Sequence, residues 1–375
     1  MKLAMDEFLS QTLADLKEKN LFRNLPNLDK PGLINFCSND YLGISKHPKV
    51  IEACQEALKK YGHGAGASRL VSGNTILHEK LEQELADFKD REAAILFSSG
   101  YMANLGVLTA LLDADDTVII DKLSHASLVD AAKFSKAKLQ VFAHSNMDAL
   151  EKILKRSEKF KKRLIVTDSV FSMDGDIANL PEIVRLAKQY NALTLIDEAH
   201  ATGVIGSRGK GLEEHFRLER QVDIVMGTLS KALGGLGGFV CGSQNLIDFL
   251  RNKARTFIYT TALPPAICAG VLQAVQIIKK DQTLINNLRD NISYFLGKTK
   301  NLRLMTYNLQ LITPIIPIMI GDEKKALDLS AQLFQKGVLL TAIRPPTVPK
   351  GTSRLRITIQ ATHTKEEIEC LKRFL

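Results

Sequence analysis

Short hydrophobic runs alternate with amphipathic segments from about residue 50 to 260 of the chain. The runs have the length and composition of buried strands. In chain order they are AAILFSS, DTVIID, LQVFAH, RLIVTDS, ALTLIDEA, VDIVMGT and GGFVCG. Stretches such as NLPEIVRLAKQY, which lie between them, have the period of amphipathic helices. This alternation predicts an α/β fold in which a mostly parallel, seven-stranded sheet lies between two layers of helices.

A second α/β pattern follows the paired prolines of TTALPPAICAG. A long helical stretch extends to about residue 297, and the strand-like runs LRLMTYN, TPIIPIMI, GVLLTAI and SRLRITI then alternate with helices. We therefore expect a large domain formed by residues 51–280 and a smaller C-terminal domain formed by residues 281–375. The N-terminal segment, residues 1–50, is expected to begin with a helix and to pack on the small domain.

Composition narrows the class of protein. With 45% hydrophobic and 24% charged residues, the chain resembles a folded soluble protein. No run approaches the roughly 20 apolar residues of a membrane span, and the N-terminus lacks the apolar core of a secretion signal, so we expect a cytoplasmic protein without a membrane partner. The five cysteines and eight histidines form no metal-ligand or disulfide pattern. A net charge of +9 suits an anionic partner, but no nucleic-acid-binding module accompanies it.

Polar residues follow the hydrophobic runs, at the strand ends where α/β sheets bind ligands. They are Ser99, His125, Asp168, Ser172, Asp197, His200, Thr228 and Lys231. Among these, Lys231 lies in GTLSKALGGLGG, with four glycines in the next seven positions. Most lysines are solvated surface charges. However, glycines allow a close backbone approach to a ligand, and a lysine desolvated in a cleft is a nucleophile towards carbonyl compounds.

Other motifs each allow two interpretations. Asp197, in LTLIDEAHATG, either caps the following turn or keeps the pyridine nitrogen of pyridoxal 5′-phosphate (PLP) protonated. Ser99 and Gly100, in FSSGYMAN, form either an ordinary helix N-cap or a phosphate cradle. His125, in DKLSHAS, is either structural or stacked on a flat cofactor. The loop GHGAGASRLVSGN, residues 62–74, lacks the pattern of a dinucleotide-binding motif and is interpreted as a flexible active-site loop.

Taken together, the motifs resemble the α-oxoamine synthase family of fold type I PLP enzymes, in the family's order over nearly the whole chain. The matching segments are NFCSNDYLG, SSGYMAN, DKLSHAS, VFSMDGD, IDEAHATG, GTLSKALGG, FIYTTALPP and PPTVPKGTSRLRITI. The resemblance implies a PLP-dependent condensation of an amino acid with an acyl thioester, with loss of CO₂ and release of the thiol. It also implies a homodimer whose active site lies at the subunit interface.

The resemblance implies roles for particular residues of this chain. Lys231 resembles the lysine that is covalently attached to PLP and serves as general base, and Asp197 the partner of the pyridine nitrogen. His200 resembles the residue that hydrogen-bonds the phenolic oxygen of the cofactor, and His125 the one that stacks on its ring. Ser172 is similar to a residue that contacts cofactor or substrate.

Phosphate and substrate contacts follow from the same resemblance. Gly100, Tyr101 and Thr228 look like phosphate ligands, with Thr260 or Thr261 of the partner subunit added to them.

The substrate carboxylate is expected on Arg356 or Arg354, which are two residues apart on one strand and therefore face the same side. Spacing does not decide between the two arginines. Arg23, Asn39 and Thr347 match substrate-contact positions.

The stretch ASRLVSGN and the compact length resemble the family members that join L-alanine to a pimeloyl thioester, carried by coenzyme A or an acyl-carrier protein, in biotin biosynthesis. Glycine acetyltransferase and 5-aminolevulinate synthase activities are the alternatives within the family. Outside it, GTSRLRITI weighs against an aminotransferase, the apolar surroundings of Cys241 and Cys268 weigh against a cysteine desulfurase, and the presence of Lys231 weighs against a non-catalytic partner subunit.

Overall fold

The structure, a computed structural model, describes residues 2–25, 28–297 and 313–375. The strands are β1 (Ile34–Asn35), β2 (Ala93–Phe97), β3 (Thr117–Asp121), β4 (Lys138–Phe142), β5 (Arg163–Asp168), β6 (Leu193–Asp197), β7 (Ile224–Thr228), β8 (Gly238–Gly242), β9 (Ile315–Gly321), β10 (Val338–Leu339), β11 (Ala342–Ile343) and β12 (Ser353–Thr358). The α-helices are α1 (Lys2–Glu18), α2 (Pro48–Tyr61), α3 (Ile76–Phe88), α4 (Gly100–Leu111), α5 (Ala126–Phe134), α6 (Met147–Arg156), α7 (Leu180–Gln189), α8 (Leu212–Phe216), α9 (Gln244–Lys253), α10 (Arg255–Ile258), α11 (Pro265–Lys280), α12 (Thr283–Gly297), α13 (Glu323–Gln335) and α14 (Lys365–Lys372).

The seven hydrophobic runs of the central region form one seven-stranded sheet, in the order β2-β8-β7-β6-β5-β3-β4. Strands β7, β6, β5, β3 and β4 pair in parallel, whereas β8 is antiparallel to both of its neighbours. The prediction of a mostly parallel seven-stranded sheet is therefore confirmed. Most of its strands are buried on both faces because helices cover each side, whereas the edge strand β4 is partly exposed.

Alternation within the strands divides the core into two layers. In β3, Ile119 belongs to one hydrophobic cluster, whereas Val118 and Ile120 belong to another. Successive side chains of a strand point to opposite faces of the sheet, so each cluster packs one helical layer against one face. The sheet is thereby held rigidly, and its strand ends are fixed in position.

A smaller sheet is formed towards the C-terminus. Strands β11, β12 and β9 make an antiparallel three-stranded sheet, and β1 of the N-terminal segment pairs in parallel with β10. The predicted run GVLLTAI forms two short strands, β10 and β11, instead of one. The predicted run LRLMTYN lies outside the described residues. None of the described helices is both long enough and apolar enough to cross a lipid bilayer.

Local sequence signals determine where the helices beside the sheet edge begin. Ser99 caps α4, since its Oγ accepts a hydrogen bond from the backbone N–H of Met102 at 3.2 Å. His125 caps α5 in the same manner, through Ser127. Gly238 allows β8 to pass close to the α4 cap, because a Cβ at this position would lie 2.6 Å from the carbonyl oxygen of Ser99.

Candidate active site

Lys231 follows β7, at the carboxyl edge of the parallel strands. Its Nζ lies 2.9 Å from His200 Nε2. Desolvation lowers the pKa of Lys231 to about 8, although the negative charge of Asp197 opposes this effect. A pKa near 8 leaves about half of the amine neutral at that pH, and only the neutral form is a nucleophile or a base.

Asp197 is the last residue of β6, and its side chain is buried. Its Oδ2 accepts a hydrogen bond from Asn104 Nδ2 at 2.8 Å, and its Oδ1 accepts one from the backbone N–H of Ala199 at 2.9 Å. The turn-capping interpretation therefore applies to Oδ1. The hydrogen bond from Asn104 holds the other oxygen in a fixed direction, as a carboxylate that orients a cofactor requires.

A chain of hydrogen bonds connects His125 with Asp197. His125 Nδ1 lies 2.8 Å from Ser127 Oγ, and Asn104 Nδ2 donates to the same hydroxyl at 2.9 Å as well as to Asp197. The backbone N–H of His125 donates to Asp168 Oδ2 at 3.0 Å. Burial raises the pKa of Asp168 well above its usual value, and the nearby charge of Asp197 raises it further. The hydrogen bond to Asp168 thus fixes the backbone of His125, and the contact with Ser127 fixes its ring.

The N-terminus of α4 provides anion-binding groups next to β7. The first N–H groups of a helix have no intrahelical acceptor, so those of Gly100 and Tyr101 can bind an anion. A Cβ placed on Gly100 would lie 3.5 Å from the side chain of Thr228, which ends β7. The hydroxyl of Tyr101 donates a hydrogen bond to Asp130. Any phosphate contact of Tyr101 would therefore come from its backbone.

The two candidate arginines of β12 have different partners. Arg356 donates from Nε to the carbonyl of Ser172 at 2.5 Å and from both Nη atoms to Asn39 Oδ1 at 3.2 Å. Arg354 forms an ion pair with Asp174 at 2.5 Å. Since the hydrogen-bond acceptors of Arg356 within the described residues are uncharged, its positive charge remains available for a substrate carboxylate.

The remaining substrate-contact candidates lie at the rim of a wide cavity. Arg23 Nη2 donates to Thr347 Oγ1 at 3.2 Å, although these residues are far apart in the sequence. Thr347, Ser172 and Arg354 line a cavity of 1230 Å³. The structure thereby brings three separate motifs to one opening.

Thr260 and Thr261 lie in a different place from Lys231. They line a separate small cavity with Arg69, and Thr261 forms a β-bridge with Ser68. Arg69, in the predicted loop 62–74, also forms an ion pair with Glu82 at 2.9 Å. Within this chain, the two threonines are therefore neighbours of the loop.

Several residues that contact the predicted ones were not among the predicted site residues, and they include Tyr41, Asn104 and Ser127. Asn104 and Asp197 are 93 positions apart, and Tyr41 and His200 are 159 apart. The only local signal is a lone amide in the apolar stretch of α4, because a buried amide requires partners. Neither Tyr41 nor Ser127 has such a signal, although all three residues lie within quoted motifs: Tyr41 in NFCSNDYLG, Asn104 in FSSGYMAN and Ser127 in DKLSHAS.

Comparison with known proteins identifies the family. Residues 31–375 match the aminotransferase class I and II family. The chain belongs to this family. It is 44% identical to the 8-amino-7-oxononanoate synthase of Thermoanaerobacter pseudethanolicus, over 98% of this chain and 96% of that protein. It is 43% identical to 8-amino-7-oxononanoate synthase 1 of Bacillus subtilis, over 97% of this chain and 95% of that protein.

A solved structure supports the same assignment. A variant of the serine palmitoyltransferase from S. paucimobilis, solved with a bound PLP–myriocin aldimine, matches with a TM-score of 0.92 at 33% identity, covering 99% of this chain and 96% of that chain. The predictions of a fold type I α-oxoamine synthase and of PLP as cofactor are confirmed.

The residues present fit this cofactor. The amine of Lys231 suits its aldehyde, the buried carboxylate of Asp197 suits its pyridine nitrogen, and the first turn of α4 suits its phosphate.

Proposed function

We propose that this chain condenses L-alanine with a pimeloyl thioester to give 8-amino-7-oxononanoate, CO₂ and free thiol, a step of biotin biosynthesis. The observation that carries the proposal is identity of 43% and 44%, over nearly the full length, to 8-amino-7-oxononanoate synthases. The serine palmitoyltransferase match is lower in identity, at 33%. Fold alone does not define the substrate, so the sequence relatives carry more weight here.

The proposed chemistry assigns two roles to Lys231. When bound, PLP supplies an electron sink for negative charge at the amino-acid Cα. Lys231 attaches the cofactor and, once the amino acid has displaced it, its neutral amine takes the proton from Cα and later returns one. Asp197, oriented by Asn104, would keep the pyridine nitrogen protonated. His200 would donate to the phenolic oxygen while its ring proton is on Nε2, and His125 would lie beside the ring.

The proposed amino-acid site is centred on Arg356. Its guanidinium group matches a carboxylate in bidentate geometry, and Ser172 and Asn39 restrict its orientation through the hydrogen bonds described above. Arg354 instead secures the loop after β5, because it is paired with Asp174. We therefore assign the substrate carboxylate to Arg356, a choice that spacing in the sequence left open.

The proposed acyl site is the cavity of 1230 Å³ lined by Arg354 and by Ser172, whose carbonyl accepts a hydrogen bond from Arg356. Phe171 and Val348 supply apolar wall for an acyl chain, whereas Lys122 and Lys350 supply positive charge. Both a coenzyme A phosphate and an acidic carrier protein suit such a wall. Arg23 and Thr347 would contact the thioester at the rim.

We propose in addition that two copies of the chain form the working unit. Thr260 or Thr261 of the partner subunit would then complete the phosphate site formed by Gly100, Tyr101 and Thr228.

The test is a comparison of substrate pairs on the PLP-loaded protein, with thiol release as the measurement. L-alanine with pimeloyl-CoA should give turnover, and Lys231→Ala should lower it by at least about 1000-fold. Lys253→Ala, which changes an exposed lysine of α9, is the matched control and should retain full activity. Thiol release only from glycine with acetyl-CoA, or only from L-serine with palmitoyl-CoA, would overturn the substrate assignment and leave the cofactor assignment intact.

A further inference from the structure

Tyr41 has no role in the proposed chemistry, yet its hydroxyl lies in the middle of the active site. The residue is completely buried. Its hydroxyl oxygen lies 2.5 Å from His200 Nδ1 and 3.2 Å from Asn39 Oδ1. A buried hydroxyl with two polar partners is costly to remove, because each partner would lose a hydrogen bond in a place that water does not reach.

Each of the two partners of Tyr41 contacts a second residue with a proposed role in the reaction. On one side, His200 Nε2 lies 2.9 Å from Lys231 Nζ. On the other side, Asn39 Oδ1 accepts hydrogen bonds from both Nη atoms of Arg356 at 3.2 Å. An unbroken series of contacts therefore runs from the proposed carboxylate-binding arginine, through Asn39, Tyr41 and His200, to the lysine.

The ionisation states of this series are limited by burial. Desolvation raises the pKa of Tyr41 to about 12, although the charge of Arg356 and its hydrogen bond to Tyr41 oppose this effect, so the hydroxyl keeps its proton. Desolvation also lowers the pKa of His200 well below its usual value, and the positive charge of Lys231 lowers it further. The ring of His200 is therefore neutral and carries one proton, either on Nδ1 or on Nε2.

The single proton of the Tyr41 hydroxyl links the tautomer of His200 to the charge of Lys231. When Tyr41 donates to Nδ1, the ring proton is on Nε2 and can be donated to a neutral Lys231 amine. When Tyr41 donates to Asn39 instead, its oxygen can accept from Nδ1–H, and Nε2 is then free to accept a hydrogen bond from a Lys231 ammonium group. Each state of the lysine thus has a matching, fully hydrogen-bonded arrangement of the other two residues.

We propose that Tyr41 is a positioning residue that holds the His200 ring and ties it to Asn39 and Arg356, and that it keeps this ring hydrogen-bonded in both charge states of Lys231 once the amino acid has displaced the lysine from the cofactor. The hydroxyl alone performs this function, since the aromatic ring of Tyr41 makes none of these hydrogen bonds. The consequence for turnover rests on the proposed proton transfer by Lys231. The contact itself does not depend on which amino acid or thioester is the substrate.

The primary test is ¹⁵N NMR of the histidine rings in the PLP-loaded protein without substrate, a state in which Lys231 is attached to the cofactor and the His200 signal reports the contact with Tyr41. Tyr41→Phe removes only the hydroxyl, and we expect the His200 Nδ1 signal to move towards that of an imidazole nitrogen with no hydrogen bond. Asn39→Ala should have the opposite effect, because it leaves His200 as the sole acceptor for Tyr41. Tyr190→Phe is the matched control, since it removes a hydroxyl that donates to Glu151 at 2.7 Å, outside this series. An Nδ1 signal in Tyr41→Phe identical to that in the control would overturn the proposal.

Kinetics provide a second readout that a purely structural role would not give. Residues that hydrogen-bond and orient metal-ligating side chains contribute about 10- to 100-fold to affinity or activity, and by analogy we expect kcat of Tyr41→Phe to fall by about that factor. The KM for the amino acid should change less than about threefold, because Arg356 is retained. A raised KM with an unchanged kcat would show that Tyr41 acts on substrate binding, and the proposal would then be wrong. Neither result depends on the identity of the acyl group, so a failure here is separable from a failure of the proposed function.

Discussion

Arg354 and Arg356 illustrate at the residue scale how two like side chains on one strand differ through their partners alone. Both are buried on β12. A carboxylate within ion-pair distance neutralises Arg354, whereas a carbonyl and an amide oxygen orient Arg356 without neutralising it. Because charge-assisted bidentate binding needs an uncompensated guanidinium group, the two residues are expected to differ in substrate binding.

We predict that Arg356→Lys raises the KM for L-alanine by about 10-fold or more, which corresponds to about 1.4 kcal/mol. Lysine retains the charge but not the planar fork of donors. Arg354→Lys is the matched control, and its KM should rise less, because its charge remains paired with Asp174. Steady-state kinetics with L-alanine as the varied substrate checks this, and a larger rise in the Arg354 variant would transfer the role to that residue.

At the scale of elements, the hydrophobic pattern was sufficient for the central sheet. All seven runs became strands, because a parallel sheet buried on both faces requires continuous apolar segments. Strand direction was not available from the pattern: GGFVCG is as apolar as its neighbours, yet β8 is antiparallel to both of its neighbours.

The site residues also fall into those that the sequence could place and those that it could not. Residues that directly follow strands, such as Lys231 and Asp197, could be placed at one edge from the sequence, because strand ends meet there. Tyr41 and Asn104 could not, since their contacts with His200 and Asp197 join segments that are 159 and 93 positions apart. The proposed preference for Arg356 over Arg354 rests on the ion pair of Arg354 with Asp174, which spacing in the sequence does not reveal.

His144 connects three elements beneath the cavity. Its Nδ1 lies 2.9 Å from Asp121 Oδ1 at the end of β3, and its Nε2 lies 2.7 Å from Asp176 Oδ2 in the loop after β5. The same loop carries the carbonyl of Ser172 that orients Arg356. Burial by itself would lower the pKa of His144, but hydrogen bonds to the two carboxylates outweigh this effect and raise it to about 10. The ring is therefore a cation that holds two carboxylates together.

We predict that the ion pairs of His144 with Asp121 and Asp176 make the protein less stable as the pH rises above neutral. A raised pKa contributes stability that is complete below the ordinary value of 6.5 and is lost as the pH rises through about 10. Because the ring is partly exposed, we discount the full shift and expect about 2 kcal/mol. Thermal unfolding of the PLP-loaded protein at pH 7, 8.5 and 10 checks this.

His144→Gln should be less stable at pH 7 and approach the parent by pH 10, whereas His63→Gln, at an exposed position, should follow the parent throughout. Parallel curves of unfolding temperature against pH for the His144 variant and the parent would contradict this role of His144.

At the scale of the whole molecule, one face of the large sheet domain presents apolar side chains next to the two threonines that are expected to reach a partner. The β-bridge between Ser68 and Thr261 places the loop 62–74 beside the segment that precedes α11. On these two segments, Val71 is 79% exposed and Tyr259 is 70% exposed. A homodimer that placed Thr260 or Thr261 at the phosphate site of its partner would cover such a face.

We predict that the PLP-loaded protein has about twice the mass of the 41.5 kDa chain and that Val71→Asp shifts it towards the monomer. A buried unpaired carboxylate in the interface is unfavourable by several kcal/mol, and loss of the partner would remove one of the proposed phosphate ligands. Light scattering gives the mass, and absorbance of bound PLP gives the cofactor content, which should fall together with the dimer. Val141→Asp, at a valine of edge strand β4 that is 51% exposed, is the matched control and should remain dimeric with full cofactor content.

If Val71→Asp is still dimeric, this face is not the interface. If the parent protein is a monomer that binds PLP fully, the phosphate site is complete within one chain, and neither Thr260 nor Thr261 reaches it from a partner.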